Sequence, residues 1–213
     1  MNDTLKFLKG VILVIIIIGA VDASAASAAE FHSGSTSGTT YLTATQIGTN
    51  QIDTEGGNIK CSSFTLTGQY TGTTAGSVNL AATYGGCTAY GLTDHVDMMD
   101  CTVLWTTGSN EQHTSCPISG MTIIPTQGGK PVCTVDIFTQ TTKMSVSNVA
   151  GSPSDLVITP LSSSIAYTVT YPGGTGTKCG TVGAHSDGSY TGSLTVRAYE
   201  DAAHTKQVSL TYN

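Results

Sequence analysis

Residues Lys60 to Cys87, KCSSFTLTGQYTGTTAGSVNLAATYGGC, decide the fold class. Phe64, Leu66 and, past a turn, Val78 and Leu80 alternate with small polar residues, which is the period of a strand with one buried face. Two such runs enclosed by two cysteines predict a β-hairpin closed by a Cys61–Cys87 disulfide. A weaker echo returns late in the chain, where Lys178-Cys179 precedes GSYTGSLTV much as Lys60-Cys61 precedes GQYTGTTAGSV. It suggests one structural unit used twice.

Working outward, the same alternation recurs in Tyr41 to Gln46, around Ile59, and in Leu92 to Met98, Cys101 to Thr106, Met121 to Ile124 and Val132 to Phe138. It continues in Met144 to Val149, Leu156 to Thr159, Ile165 to Thr170, Tyr190 to Tyr199 and Gln207 to Tyr212. About a dozen short strands separated by Gly, Pro, Ser and Asn turns, with no helical periodicity after the N-terminal segment, predict an all-β protein. The expected architecture is an antiparallel β-sandwich stapled by disulfides. Two small Ig-like or sandwich lobes, residues 30–108 and 109–213, account for the echo, and one continuous β domain is the alternative. Abundant Thr suits the outer face of such sheets, because a β-branched hydroxyl residue packs well on a pleated surface.

The first 29 residues read as a secretory signal peptide. Lys6 and Lys9 precede an apolar run from Val11 to Val21, and the small-residue stretch ASAASAA follows, the layout of a basic region, an apolar region and a cleavage site. Cleavage is expected after Ala28 or Ala29. The apolar run is shorter than the roughly 20 residues a membrane span needs.

Lys6 and Lys9 leave with Asp3 and Asp22, so the remaining chain keeps the net charge of -6. Arg197 is the one arginine. A polyanionic partner needs clustered Lys and Arg, so nucleic acid and anionic membrane are excluded as partners. All six cysteines, Cys61, Cys87, Cys101, Cys116, Cys133 and Cys179, follow the leader. An even count behind a signal peptide implies three disulfides made in an oxidising compartment. Neighbourhood in the sequence suggests Cys101–Cys116 and Cys133–Cys179 beside the hairpin pair. Zinc is disfavoured, since no C-x-x-C occurs.

Taken together, several of these stretches resemble a group of uncharacterised secreted, Thr-rich, cysteine-paired β proteins of actinobacteria. The resemblance rests on Ala29-Glu30-Phe31-His32-Ser33, the Lys60-Cys61 strand, Tyr84 to Gly91, Asp100-Cys101-Thr102, Ser115-Cys116-Pro117 and Tyr190-Thr191-Gly192. It implies secretion and the cysteine framework, and it transfers no catalytic residue.

No motif names a reaction. Asp94, Asp97 and Asp100 in DHVDMMD could converge on Ca²⁺ if the segment were a loop, since hard cations want several oxygens around one point. In a strand Asp94 and Asp97 face opposite sides, and a solvated edge strand explains the charges as well. His32, His95, His113, His185 and His204 are available as bases, with Asp187 near His185 and Glu200-Asp201 near His204. No G-x-S-x-G elbow accompanies them. Trp105 reads as core, and the tyrosines as cross-strand pairs. The stretch Glu30 to Thr40 reads as an exposed lead-in. Gln207 to Asn213 is similar in form to the terminal strand of fimbrial subunits that assemble by strand addition, although an ordinary last strand fits better. The expectation is therefore a secreted, non-catalytic structural or binding protein of the cell surface or extracellular matrix, with no cofactor beyond the Ca²⁺ candidate. Its partner would be an extracellular glycan or protein, or further copies of the chain. A secreted polymer-acting hydrolase and a pilin-like subunit are the alternatives.

Overall fold

The computed structural model describes residues 28–97, 101–116, 120–174 and 176–213. Of the segment 1–29 expected to be a signal peptide, all but Ala28 and Ala29 lies outside them. The described residues form seventeen β-strands. In chain order they are β1 (Phe31–Ser33), β2 (Thr39–Thr54), β3 (Gly57–Thr71), β4 (Thr74–Ala75), β5 (Ser77–Ala89) and β6 (Leu92–Asp97). Then come β7 (Thr102–Thr106), β8 (Glu111–Ser115), β9 (Met121–Gln127), β10 (Lys130–Pro131), β11 (Thr134–Ile137) and β12 (Gln140–Val149). The last five are β13 (Ser152–Leu161), β14 (Ile165–Thr170), β15 (Gly183–Tyr199), β16 (Gln207–Val208) and β17 (Leu210–Tyr212). Every pairing is antiparallel, as the alternation implies.

Four strands are far longer than expected: β2, β3, β5 and β15 run for 16, 15, 13 and 17 residues. Their length follows from a double duty. One circuit of hydrogen-bonded neighbours runs β2-β3-β5-β7-β8-β12-β13-β15 and returns to β2. A second runs β2-β3-β5-β6-β9-β11-β14-β15 and also returns to β2. Each long strand gives one half to each circuit, so two apolar interiors sit end to end along the same four strands.

The clusters of buried side chains match the circuits. The first interior holds Leu42, Leu66, Leu80, Trp105, Leu156 and Leu194 among others, and the second Ile59, Ile123, Val135, Tyr167, Val169 and the Cys133–Cys179 pair. Period-two alternation explains the membership: Leu194, Val196 and Ala198 on β15 and Ile165, Tyr167 and Val169 on β14 are inward residues two apart. The change of interior coincides with breaks in register on β2 between Thr45 and Asn50 and on β15 between Thr191 and Ser193. Gly192 at that break has φ 151, and a Cβ there would run into the buried Asn50 side chain.

Residues 108 and 109 fall in the turn between β7 and β8, which pair with each other, and both interiors draw on residues either side of that point. The interiors thus divide the strands along their length. The echo is not a repeated unit, since Lys60-Cys61 sits inside β3 while Lys178-Cys179 lies in the connection from β14 to β15.

A small sheet, β17-β1-β4, closes the far end of the first interior. Phe31 is fully buried there, its ring centroid 6.4 Å from that of Trp105 and 6.2 Å from that of Tyr212. The expected exposed lead-in is therefore anchored at Phe31, with the Glu30 amide donating to the Asn213 carbonyl at 2.8 Å.

Three disulfides join Cys61 to Cys87, Cys101 to Cys116 and Cys133 to Cys179, the pairs that sequence neighbourhood suggests. Cys61 and Cys87 stand opposite each other in the β3–β5 ladder. No cysteine belongs to the first interior.

Candidate functional site

The waist between the interiors carries the unusual chemistry. Gln112 and Thr114 on β8 stand opposite Trp105 and Val103 on β7, so they face inward where apolar residues would be expected. Gln140 and Thr142 on β12 stand opposite Thr114 and Gln112 and share that orientation. The result is a polar quartet on the inner wall. With Tyr84, Tyr190, Phe64, Leu66, Val103 and Ile137 it lines a cavity of about 80 Å³, and a void of about 30 Å³ adjoins along Tyr84, Tyr190, Met121 and Val96.

Most of these polar groups are already engaged. The Trp105 indole Nε1–H donates to Gln112 Oε1 at 3.1 Å. Gln140 ties the two circuits together, its Oε1 accepting from the Ala166 amide at 3.1 Å and its Nε2 donating to the Ala166 carbonyl at 3.4 Å. The Tyr190 hydroxyl donates to Asn50 Oδ1. Tyr84 stacks on Phe64 with centroids 4.6 Å apart and planes 13° from parallel. Burial pushes the Tyr84 and Tyr190 phenols well above the usual tyrosine range, so both stay neutral donors.

The sequence candidates lie elsewhere. Asp94 sits on β6 two residues before Val96, which packs on the second interior. A solvated edge is therefore not what it occupies: both carboxylate oxygens are buried without a hydrogen-bond partner among the described residues. Burial pushes its pKa up to about 6, with His95 pulling weakly the other way. Asp100 and the Asp97 side chain lie outside the described residues. Among those described, no three His, Cys, Asp or Glu side chains gather as a metal site would require.

His185 and Asp187 do come together, with a partner the sequence did not single out. Glu55 Oε2 accepts from the Thr181 amide and hydroxyl at 3.0 and 2.9 Å and lies 3.6 Å from His185 Nδ1. The other ring nitrogen of His185 is 2.9 Å from the Thr181 carbonyl, and the ring stacks on Tyr167 at 4.9 Å. The Tyr167 hydroxyl donates to Asp187 Oδ1 at 3.0 Å and accepts from the Glu55 amide. Hydrogen bonds from Thr181 hold the Glu55 carboxyl below the usual range. The ring nitrogens of His185 lie beside Glu55 and the Thr181 carbonyl, so this cluster clasps the 179–183 segment to the β2–β3 turn. His113 bonds Thr141 and His204 packs on Tyr199, while His32 and His95 sit on separate strands.

The outer face is a third feature. Thr83, Thr65, Thr45 and Thr195 stand in one row across β5, β3, β2 and β15, and Thr67, Thr43 and Arg197 stand in the next. Trp105 is wholly buried and supplies no platform there.

This geometry defines a disulfide-stapled, antiparallel all-β protein with two interiors. Comparison with protein-family models, curated proteins and solved structures found no match.

Proposed function

We propose that this chain is a secreted, non-catalytic structural or binding protein of the cell surface or extracellular matrix. The observation that carries the reading is the outer face just described, where one registered row of threonines, Thr83, Thr65, Thr45 and Thr195, runs across four neighbouring strands. Such a face suits a neutral extracellular glycan or a protein surface, because it offers hydrogen bonds and apolar contact without the desolvation penalty of charge. Three disulfides fit an oxidising environment. Among the described residues no helix is long and apolar enough to cross a membrane.

Sedimentation of the mature protein with insoluble cell-wall glycans, alongside assays on model esters and glycosides, tests this. Retention without turnover is expected, weakened when Thr45 or Thr65 is replaced by Lys. Turnover abolished by His185→Ala or Asp97→Asn would favour the hydrolase instead. Assembly by strand addition has less support, because β1 and β17 already pair with each other within one molecule. Native mass measurement at high concentration checks that point, a monomer being expected.

A further inference from the structure

We propose that Asn148 guards the terminal strand: its side-chain amide occupies the open edge of β17 in place of a neighbouring strand, and so blocks pairing with the same edge on a second copy of the chain. Among the described residues β17 is an outer strand of the small β17-β1-β4 sheet. An edge strand offers unpaired N–H and C=O groups as a template for another chain, and one edge meeting its own copy forms a closed, two-fold contact. Which groups β17 offers follows from its ladder. Glu30 and Asn213 exchange both main-chain bonds, at 2.8 and 3.3 Å, and in an antiparallel pair such residues alternate with residues whose groups point the other way. Tyr212, and Leu210 two residues back, therefore turn their main chain away from β1. Ser33, opposite Leu210, accordingly donates its amide to the Thr73 carbonyl on the far side of β1 at 2.7 Å. An incoming strand would have to bond both Leu210 and Tyr212.

Tyr212 is already taken. Its N–H donates to Asn148 Oδ1 at 2.9 Å, and Asn148 Nδ2 donates to the Tyr212 carbonyl at 2.9 Å. A side-chain amide carries the same donor and acceptor as a peptide unit, so Asn148 meets the strand as a residue of a neighbouring strand would. The register of β12 on β13 breaks between Asn148 and Val149, and such a break re-aims a side chain. The usual protections of an edge, charge and proline, are missing from Leu210-Thr211-Tyr212. Bulk does not close this side either, since an open groove of about 340 Å³ lies between Thr211 and the turn at Val149, Gly151 and Pro153. Asn148 is itself exposed, and Tyr212 stays held by its hydroxyl on Asn110 Oδ1 at 2.6 Å and by its ring against Phe31. Its replacement should therefore open the edge and leave β17 in place.

The protein with its disulfides intact is compared with Asn148→Ala and Asn148→Asp by sedimentation velocity over a concentration series. The Ala variant should associate as concentration rises. In its associated form hydrogen exchange at the Leu210 and Tyr212 amides should slow at least about fivefold, the worth of one ordinary hydrogen bond. Asn148→Asp loses the amide donor but places a charge at the edge, which discourages pairing, and it should stay monomeric like the parent. Asn148→Ser, too short to reach both main-chain groups, serves if the Ala variant does not fold. A parent that itself associates through this edge, a folded Ala or Ser variant that stays monomeric throughout, association without slowed exchange at Tyr212, or equal association of the Asp variant would overturn the proposal.

Discussion

The two interiors share four strands and are held together differently. The first is closed by long ladders: β2 and β15 pair from Tyr41 to Ile47, β12 and β13 from Lys143 to Val149, and its aliphatic and aromatic cluster meets inward polar side chains at the waist, Gln112, Thr114, Gln140 and Thr142. The second is closed by shorter ones, since β5 and β6 share two register pairs and β9 and β11 three. It also contains the inward carboxylate of Asp94 and a stretch from 171 to 182 whose described residues form no regular strand. Five of the six cysteines line or adjoin the second interior, or its void, and Cys87 completes the pair with Cys61. Where the ladder is short and the core less apolar, covalent links restrict the unfolded chain instead. No cysteine belongs to the first cluster, and Cys61–Cys87, though it crosses the long β3–β5 ladder, lies toward that ladder's second-interior end.

Removing the covalent part should therefore have the largest effect, and on one end of the molecule. Replacing Cys133 and Cys179 together by Ala opens a loop of 46 residues, and the chain-entropy relation puts the loss at about 4 kcal/mol. In urea titrations the transition should move to lower concentration when followed by tyrosine signals, and Trp105 fluorescence should lag behind it. Next comes Leu194→Ala, which empties a fully buried site in the first interior and should cost about 3 kcal/mol. Here the Trp105 signal should move first.

Asp94→Asn tests the inward carboxylate. In the folded protein the Asp94 carboxyl holds its proton up to about pH 6, against an ordinary value of 3.8. The unfolded chain ionises first, so stability falls as pH rises from about 4 through about 6 and stays lower above that. The Asn variant should lose this slope and gain about 1 to 2 kcal/mol at neutral pH, a figure reduced for the partial exposure of the side chain. Smallest is Arg197→Ala, which breaks a 2.8 Å pair with Asp155 on the outer face of the first circuit. A half-exposed pair of this kind is worth under about 1 kcal/mol, so thermal melts should barely change.

Much of the fold is legible in single stretches. Phe64, Leu66, Val78 and Leu80 do share one buried face, and Cys61 and Cys87 do meet across the ladder. The division of long strands between two interiors is not legible, because alternation continues along β2 and β15 and only breaks near Asn50 and Gly192 mark the change. The waist is hidden in the sequence for a related reason. EQHTS has no apolar alternation, so Glu111–Ser115 reads as a connection, and the inward facing of Gln112 and Thr114 follows only from their partners Trp105 and Val103. Asp94 misleads in the opposite sense: three carboxylates within seven residues suggest solvent, while Val96 two positions on fixes the face that Asp94 shares.

Amide hydrogen exchange of the protein, compared with and without a reducing agent, tests most directly whether the interiors are stabilised by different means. Reduction should speed exchange in β6, β9, β11, β14 and the Gly183–Thr191 half of β15, while β12, β13 and the Ser193–Tyr199 half stay protected. Equal loss of protection in both halves of β15, or unchanged exchange throughout, would contradict the account.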